Sequence, residues 1–412
     1  MRSLVYRPTK EKQVRFQVPL SKSVLNRELI LQAHAQALPA LEQSTEWPDD
    51  SQLLLRALNT RDNIIDVGHA GTAMRFLCAY FSSRPGEVIL TGSERMHQRP
   101  IKILVDALKE LGAKIDYLEK EGFPPLRIEG KELKGGSIQI SGEISSQYIS
   151  ALLLSACKFS EGISLELTGQ VTSRPYIGLT LAALKGAGIP FSLDGNTIRV
   201  ESCKVPSFNL SEEKDWSAAA YGYGMVALGL CEELIVPGLD VKTWQGDSIL
   251  GAIFAELGIQ TGQSEEGVHL IKKKDAPATF SRDMSDCPDL AQPIAFTCAA
   301  LGISCELYGL HTLKLKETDR IVAMSECLSI AGIKAEHGLD FISFQGKIKA
   351  NEPLHFRTYE DHRMAMGLSL WAAVIGPMHL EDPHVVSKSF PGYWNEAAKL
   401  GLELECPSEP IF

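Results

Sequence analysis

Hydrophobic and polar positions recur along this chain in one order: a short strand-like run, a polar turn, then a helical run rich in small residues. Six stretches follow that order: "RFQVPLSKSVLNRELILQAHA", "NIIDVGHAGTAMRFLCAYF", "SIQISGEISSQYISALLLSAC", "SFNLSEEKDWSAAAYGYGMVAL", "TFSRDMSDCPDLAQPIAFTCAA" and "LHFRTYEDHRMAMGLSLWAAV". With Lys22, Thr72, Ser146, Asp215, Asp289 and Asp361 as markers, the intervals are 50, 74, 69, 74 and 72 residues. A period this regular is the signature of stacked supersecondary units.

A second piece follows each of these: a short strand, a polar loop, an amphipathic helix closed by glycine, and often a hairpin. The helix ends read "LVDALKELGAKI", "LAALKGAGIPF", "IFAELGIQT", "CLSIAGIKA" and "EAAKLGLEL". Gly112, Gly188, Gly258, Gly332 and Gly401 therefore fall where a helix terminates in a left-handed residue. Hairpin turns are expected at Glu121-Gly122, Asp194-Gly195, Glu266-Gly267 and His337-Gly338. The predicted fold is α/β, with a βαβαββ unit of about 70 residues present six times and the first copy shortened. A chain of 412 residues exceeds the size at which single cores stop growing, so two domains are expected.

Composition narrows the function. At 44% hydrophobic and 22% charged residues the chain reads as globular, and a net charge of -10 excludes general nucleic-acid binding. Nine cysteines from Cys78 to Cys406 form no C-x-x-C pair, which suits reduced thiols in the cytoplasm. The N-terminal residues carry no apolar signal segment, and no stretch approaches the roughly 20 apolar residues of a membrane span. No ligand spacing for a metal is present, and no cofactor is expected.

Within this acidic chain, cations gather in the polar turns. "KLKETDRIVAM" sets Lys314, Lys316, Glu317, Asp319 and Arg320 before a helix, where partial positive charge already disfavours cations. The alternative is a solvated turn with Glu317 and Arg320 paired at i, i+3. Yet "RMHQRP", "VTSRPY", "KTWQGD" and "VSKSFPGY" fill the same slot in other copies, again with charged or hydroxyl groups. Lys22, Arg27, Arg75, Arg99, Lys316, Arg320, Arg363 and Lys388, with Ser23, Ser145, Ser146 and Ser173, imply a small polyanion held at convergent helix N-termini. Asp289 and Glu317 are the proton-transfer candidates, held ionised by neighbouring cations. Asp361 reads rather as a helix cap or as the partner that holds an arginine. "GTAMR" supports neither a dinucleotide site nor a Walker loop. Trp216 and Trp244 read as packing residues, and Cys78, Cys157 and Cys298 as core.

Taken together, the motifs resemble the 5-enolpyruvylshikimate-3-phosphate synthase family of enolpyruvyl transferases from end to end. They are "SKSVLNR" at 21–27, "HAGTAMR" at 69–75, "ERMHQRP" at 94–100, "SGEISSQY" at 141–148, "SRPY" at 173–176, "QGD" at 245–247, "PDLA" at 288–291, "KETDR" at 316–320, "DHRMAM" at 361–366 and "SKSFPGY" at 387–393. The resemblance implies two lobes of three repeats each. One spans 18–213, and the other joins 1–17 to 214–412, with "SEEKDW" as a crossover. It implies transfer of the enolpyruvyl group of phosphoenolpyruvate to the 5-hydroxyl of shikimate 3-phosphate through a tetrahedral ketal, with release of phosphate. The setting it implies is chorismate and aromatic amino acid biosynthesis, in a cytoplasmic monomer.

By the same resemblance Lys22, Asp289 and Glu317 are catalytic. Asp289 accepts the hydroxyl proton, while Lys22 and Glu317 serve the methylene carbon and the leaving phosphate. Lys22, Gly71 through its backbone, Arg99, Gln147, Arg320, Arg363 and Lys388 match the positions that hold phosphoenolpyruvate. Lys22, Ser23, Arg27, Ser145, Ser146, Gln147, Ser173, Tyr176, Asp289 and Lys316 match those that hold shikimate 3-phosphate. Because two polyanions must meet, cations drawn around the second substrate as the lobes close would offset the repulsion, and an open substrate-free form is expected. Leu20, His69, Phe76 and Thr312 depart from the family pattern, which touches turn geometry and one substrate hydrogen bond. Gly71 is kept, so glyphosate is expected to compete with phosphoenolpyruvate. The related UDP-N-acetylglucosamine enolpyruvyl transferases place a cysteine in the loop that here reads "SERMHQRP". A nucleic-acid ring or clamp, the other architecture built from six such units, conflicts with the negative charge.

Overall fold

The computed structural model describes residues 2–44, 46–143, 145–349 and 353–405; Cys406 lies outside them. The chain divides into two compact units, Ser21–Glu212 and the pair Met1–Leu20 with Glu213–Phe412.

In the unit Ser21–Glu212, two four-stranded sheets share one order. The first runs Ile64–Asp66, Gly86–Thr91, Leu126–Gly130, Lys114–Tyr117, and the second Gly136–Ser141, Ile163–Thr168, Thr197–Val200, Phe191–Asp194. In each, the first two strands are parallel and the others antiparallel, as a βαβ crossover followed by a hairpin requires. The first repeat keeps its helices, Lys22–Ala35 and Asp49–Asn59, but among the described residues has no sheet of its own in this unit, which accounts for the short first interval.

The other unit carries three sheets of the same order, and two of them borrow strands from the N-terminus. Gln13–Arg15 lies parallel to Glu233–Pro237, and Arg2–Tyr6 lies between Met378–Leu380 and Leu402–Glu405. The strand expected in "SFNL" is therefore absent, because Gln13–Arg15 occupies its place in the ladder. The remaining sheet runs Thr279–Asp283, Ser304–Tyr308, Phe341–Phe344, Ala335–His337.

Each unit packs its sheets around its small-residue helices. In the second unit these are Trp216–Ala227, Ala291–Leu301 and His362–Ser369, nearly every residue of which is buried. Small side chains let the helices approach: a Cβ on Gly224 would sit 2.8 Å from both Leu370 and Thr297, and one on Gly367 2.2 Å from Phe296. Phe296 and Trp371 meet edge to face at 5.1 Å in that core. The first unit's counterparts are Lys22–Ala35, Gly71–Ser82 and Ser146–Ser155. Polar residues at the N-termini of such helices are thus brought together by the packing of apolar ones.

The predicted helix ends are observed, with Gly112, Gly188, Gly258, Gly332 and Gly401 all at positive φ. The hairpins differ in length: a two-residue turn follows Asp194, the connections at Glu266-Gly267 and His337-Gly338 are three residues long (264–266 and 338–340), and Glu121-Gly122 lies inside a connection of eight residues between Tyr117 and Leu126. The loops before the second helices are short helical turns in four copies: Glu94–His97, Gly246–Ile249, His311–Leu315 and Pro383–Lys388. Among the described residues, no helix is long and apolar enough to cross a membrane.

Candidate active site

The cationic turn that begins at Lys314 is built into a network within its own unit. Asp319 caps the helix Arg320–Ile330 by accepting from the Val322 amide, which leaves Arg320 at the first helical position and turned inward, 2 % exposed. Its guanidinium reaches three carboxylates: Nε to Asp361 Oδ2 at 2.7 Å, Nη1 to Asp289 Oδ1 at 2.9 Å and Nη2 to Glu317 Oε2 at 3.0 Å. The planar fork of arginine suits this bridging, since each nitrogen faces a different acceptor.

Other cations close the arrangement. Lys316 Nζ lies 3.2 Å from Asp289 Oδ1, Arg363 Nη2 3.2 Å from Asp289 Oδ2, and Lys388 Nζ 3.1 Å from Glu317 Oε1. Arg363 also donates from Nη1 to the Asp289 carbonyl at 3.0 Å. Asp361 caps the helix His362–Ser369 through the Arg363 amide at 2.8 Å, so it orients Arg320 and Arg363 together. Asp289, Lys316, Glu317, Arg320, Arg363 and Lys388 are thus brought together from two successive repeats, with four cations on three carboxylates once Asp361 is counted.

This charge surplus acts on proton affinity. Burial alone would raise the Asp289 carboxyl, but Arg363, Lys316 and Arg320 outweigh it and hold the group well below the usual carboxylate range. The Lys316 ammonium is pushed down, chiefly by burial and in part by Arg320 and Arg363. Asp289 is therefore held as the charged carboxylate.

The other unit assembles a second set. Lys22 opens its helix behind the cap Ser21 and pairs with Asp50 at 3.0 Å, a carboxylate that the sequence pattern did not mark. Gly71 begins the helix Gly71–Ser82, and the Arg99 guanidinium lies so close over it that a Cβ would fall 2.4 Å from Nη2. Gln147 joins two repeats by donating from Nε2 to Thr72 Oγ1 at 3.2 Å, and Ser145 caps its helix by accepting from the Gln147 amide. Ser146 and Ser173 are buried, and Ser173 takes a left-handed φ of 53° just before Arg174.

Two arginines are held by protein acceptors. Arg27 donates to Thr180 Oγ1 at 2.8 Å, the Ser23 carbonyl at 2.6 Å, Ser150 Oγ at 3.3 Å and the Tyr176 carbonyl at 3.2 Å. Burial lowers its guanidinium to about 10, and Tyr176 acts the other way. Arg75, expected among the anion-binding cations, instead ties its helix to the following loop through the Gly71 carbonyl at 3.2 Å and the Pro100 carbonyl at 2.9 Å. One further expectation changes. Trp216 is core, but Trp244 is 64 % exposed. The Thr312 hydroxyl is buried with no hydrogen-bond partner among the described residues.

Fold and site together define an α/β protein of repeated βαβαββ units that gathers cations about ionised carboxylates at helix N-termini, as a handler of small polyanions does. Residues 14–397 match the family described as EPSP synthase (3-phosphoshikimate 1-carboxyvinyltransferase). The 3-phosphoshikimate 1-carboxyvinyltransferase of Bacteroides fragilis strain YCH46 is 42% identical over 412 residues, covering 99% of this chain and 100% of the relative. That of Mannheimia haemolytica is 33% identical, covering 98% of this chain and 100% of the relative. A solved EPSP synthase from Acinetobacter baumannii shares the fold, with a TM-score of 0.72, 21% identity and coverage of 98% of this chain and 99% of that one. The chain belongs to the EPSP synthase family.

Proposed function

We propose that this protein is a 3-phosphoshikimate 1-carboxyvinyltransferase, joining phosphoenolpyruvate to shikimate 3-phosphate in the shikimate pathway. The observation that carries the reading is the ionised Asp289, gripped by Lys316, Arg320 and Arg363. It is an acid kept charged among cations that a phosphate or carboxylate can claim.

In the addition, the substrate's 5-hydroxyl oxygen bonds to C2 of the enol and its proton passes to an Asp289 oxygen, while the enol π electrons take up a proton at C3. In the elimination, the C2–O bond to phosphate breaks and a C3 proton leaves. Glu317 lies between Lys388 and Arg320, which suits a carboxylate that takes up the C3 proton in the elimination, while the Lys22 ammonium has the proton that C3 gains in the addition. Lys22 serves the same two centres from the other residue set. Arg99, Arg320, Arg363, Lys388, Gln147 and the Gly71 backbone hold phosphoenolpyruvate. Ser23, Arg27, Ser145, Ser146, Ser173, Tyr176 and Lys316 hold shikimate 3-phosphate. Glyphosate competes with phosphoenolpyruvate at its site. Free thiols at all eight described cysteines suit a cytoplasmic location, where we place the enzyme as a monomer.

The test is phosphate release from phosphoenolpyruvate with and without shikimate 3-phosphate. Release that requires both supports the assignment, and release that ignores shikimate 3-phosphate, or none at all, overturns it.

A further inference from the structure

Asp361, which holds Arg320 and caps the helix of Arg363, is delivered by a four-residue turn of unusual make-up. The Asp361 amide donates to the Thr358 carbonyl at 3.0 Å, and the two residues between them, Tyr359 and Glu360, both take left-handed φ, at 56° and 53°. These are the φ signs of a type I′ turn, whose central positions favour glycine, asparagine or aspartate because larger side chains are strained there. Local preference therefore disfavours Tyr-Glu at this place, and a contact from outside the turn has to hold it.

That contact comes from the helix Arg320–Ile330. The Tyr359 hydroxyl donates to Glu326 Oε2 at 2.6 Å, and burial first, then this bond, push the phenol up, so it keeps its proton as a donor. Six residues earlier in the same helix, Arg320 meets Asp361 at 2.7 Å. Helix and turn are thus joined at two points, Arg320 to Asp361 and Glu326 to Tyr359, and two points fix an orientation where one leaves a pivot. The Arg357 guanidinium lies over the Tyr359 ring at 5.2 Å, a contact that needs the ring but not the hydroxyl.

We propose that Tyr359 and Glu326 are positioning residues for the transfer, their hydrogen bond holding the strained turn so that Asp361 aims Arg320 and Arg363 at phosphoenolpyruvate. The inference rests on the transferase reading, in which those two arginines hold that substrate. Asp361 accepts from Arg320 Nε at 2.7 Å and from the Arg363 amide at 2.8 Å, so a turn that relaxes toward ordinary φ moves both arginines together. The serines, Arg27 and Tyr176 that hold shikimate 3-phosphate belong to the unit Ser21–Glu212 and are untouched by that movement. Neither Tyr359 nor Glu326 exchanges a bond or a proton with substrate; both act through Asp361 alone.

The experiment is steady-state kinetics with each substrate varied in turn, beside urea midpoints, for the wild type, Tyr359→Phe, Glu326→Ala, Glu326→Gln and Tyr359→Phe combined with Glu360→Gly. Tyr359→Phe keeps the ring and its packing and removes only the hydroxyl. It should raise KM for phosphoenolpyruvate roughly tenfold and leave KM for shikimate 3-phosphate near wild type, as loss of one hydrogen bond to a charged group predicts. Glu326→Ala should match it, and Glu326→Gln, which keeps an acceptor, should stay near wild type. Glycine takes the left-handed conformation without strain, so adding Glu360→Gly should bring the KM of Tyr359→Phe back toward wild type. Wild-type KM for phosphoenolpyruvate in Tyr359→Phe and Glu326→Ala overturns the proposal. So does a rise shared equally by both substrates, or a lower urea midpoint with both KM values unmoved, since either describes a merely structural bond. If Tyr359→Phe does not fold, Glu326→Ala and Glu326→Gln decide. Wild-type phosphate release that is independent of shikimate 3-phosphate sinks the transferase reading instead, whereas normal wild-type turnover with unmoved variants sinks only the role of Tyr359 and Glu326.

Discussion

Lys388 Nζ lies 3.1 Å from Glu317 Oε1, while Arg320 holds the other oxygen of the same carboxylate at 3.0 Å. Glu317 is thus anchored at both oxygens by cations from different segments. Replacement by glutamine keeps its size and position but removes the charge and the proton acceptor. Glu317→Gln is expected to bind both substrates and to turn over roughly 10²-fold more slowly, measured as kcat beside calorimetric binding. Wild-type turnover would reassign the residue to structure.

Arg320 joins Asp361, Asp289 and Glu317, and Asp361 is 0 % exposed. A lysine has one compact ammonium and cannot face three acceptors, so Arg320→Lys leaves a buried carboxylate without its partner. The expected loss is about 3–5 kcal/mol, seen as a lower urea midpoint. An unchanged midpoint would mean that the network contributes little to folding.

Gly71 leaves room for the Arg99 guanidinium, and an alanine methyl would fall 2.4 to 2.7 Å from it. The far end of a flexible side chain yields before the helix does. Gly71→Ala should therefore displace Arg99 and raise KM for phosphoenolpyruvate by roughly 10- to 100-fold, the worth of one hydrogen bond to a charged group. Folding stability and KM for shikimate 3-phosphate should stay close to wild type, and steady-state kinetics with each substrate varied in turn checks the split.

His34 lies against Tyr80 with ring centroids 5.0 Å apart and planes tilted by 45°, and burial first, then Lys158 and Arg84, push its imidazole down to about 3. Because the unfolded chain binds that proton near 6.5, the stabilisation is complete above that pH and is lost as pH falls toward 3. The slope is about 1.4 kcal/mol per pH unit. Asp247, whose carboxyl is raised, works in the opposite direction over part of this window, but it is common to wild type and His34→Phe and cancels in their difference. Urea midpoints from about pH 7 to about pH 4 should show His34→Phe losing less stability than wild type; parallel losses would exclude His34 as the cause.

The periodic pattern was legible because it is local. Small residues at helical spacing, cap residues such as Ser21, Asp215, Asp319 and Asp361, and glycines at left-handed helix ends all act within a few positions of themselves. The gathering of Asp289, Glu317, Arg320, Arg363 and Lys388 was readable only through the phase they share in successive repeats. Asp50 beside Lys22, Arg75 turned onto backbone carbonyls and Trp244 left in solvent carried no such signal.

By itself, the sequence determined the repeated unit, its helix starts and stops, and the polar residue types that precede its helices, because propensity, capping and hydrophobic period depend on near neighbours. Only the tertiary structure decided that Arg2–Tyr6 and Gln13–Arg15 complete sheets whose other strands begin more than 200 residues later, and which carboxylate each cation meets. Strand pairing and ion pairing join groups by distance in space, and many registers and partners satisfy the same local pattern until packing of the core selects one.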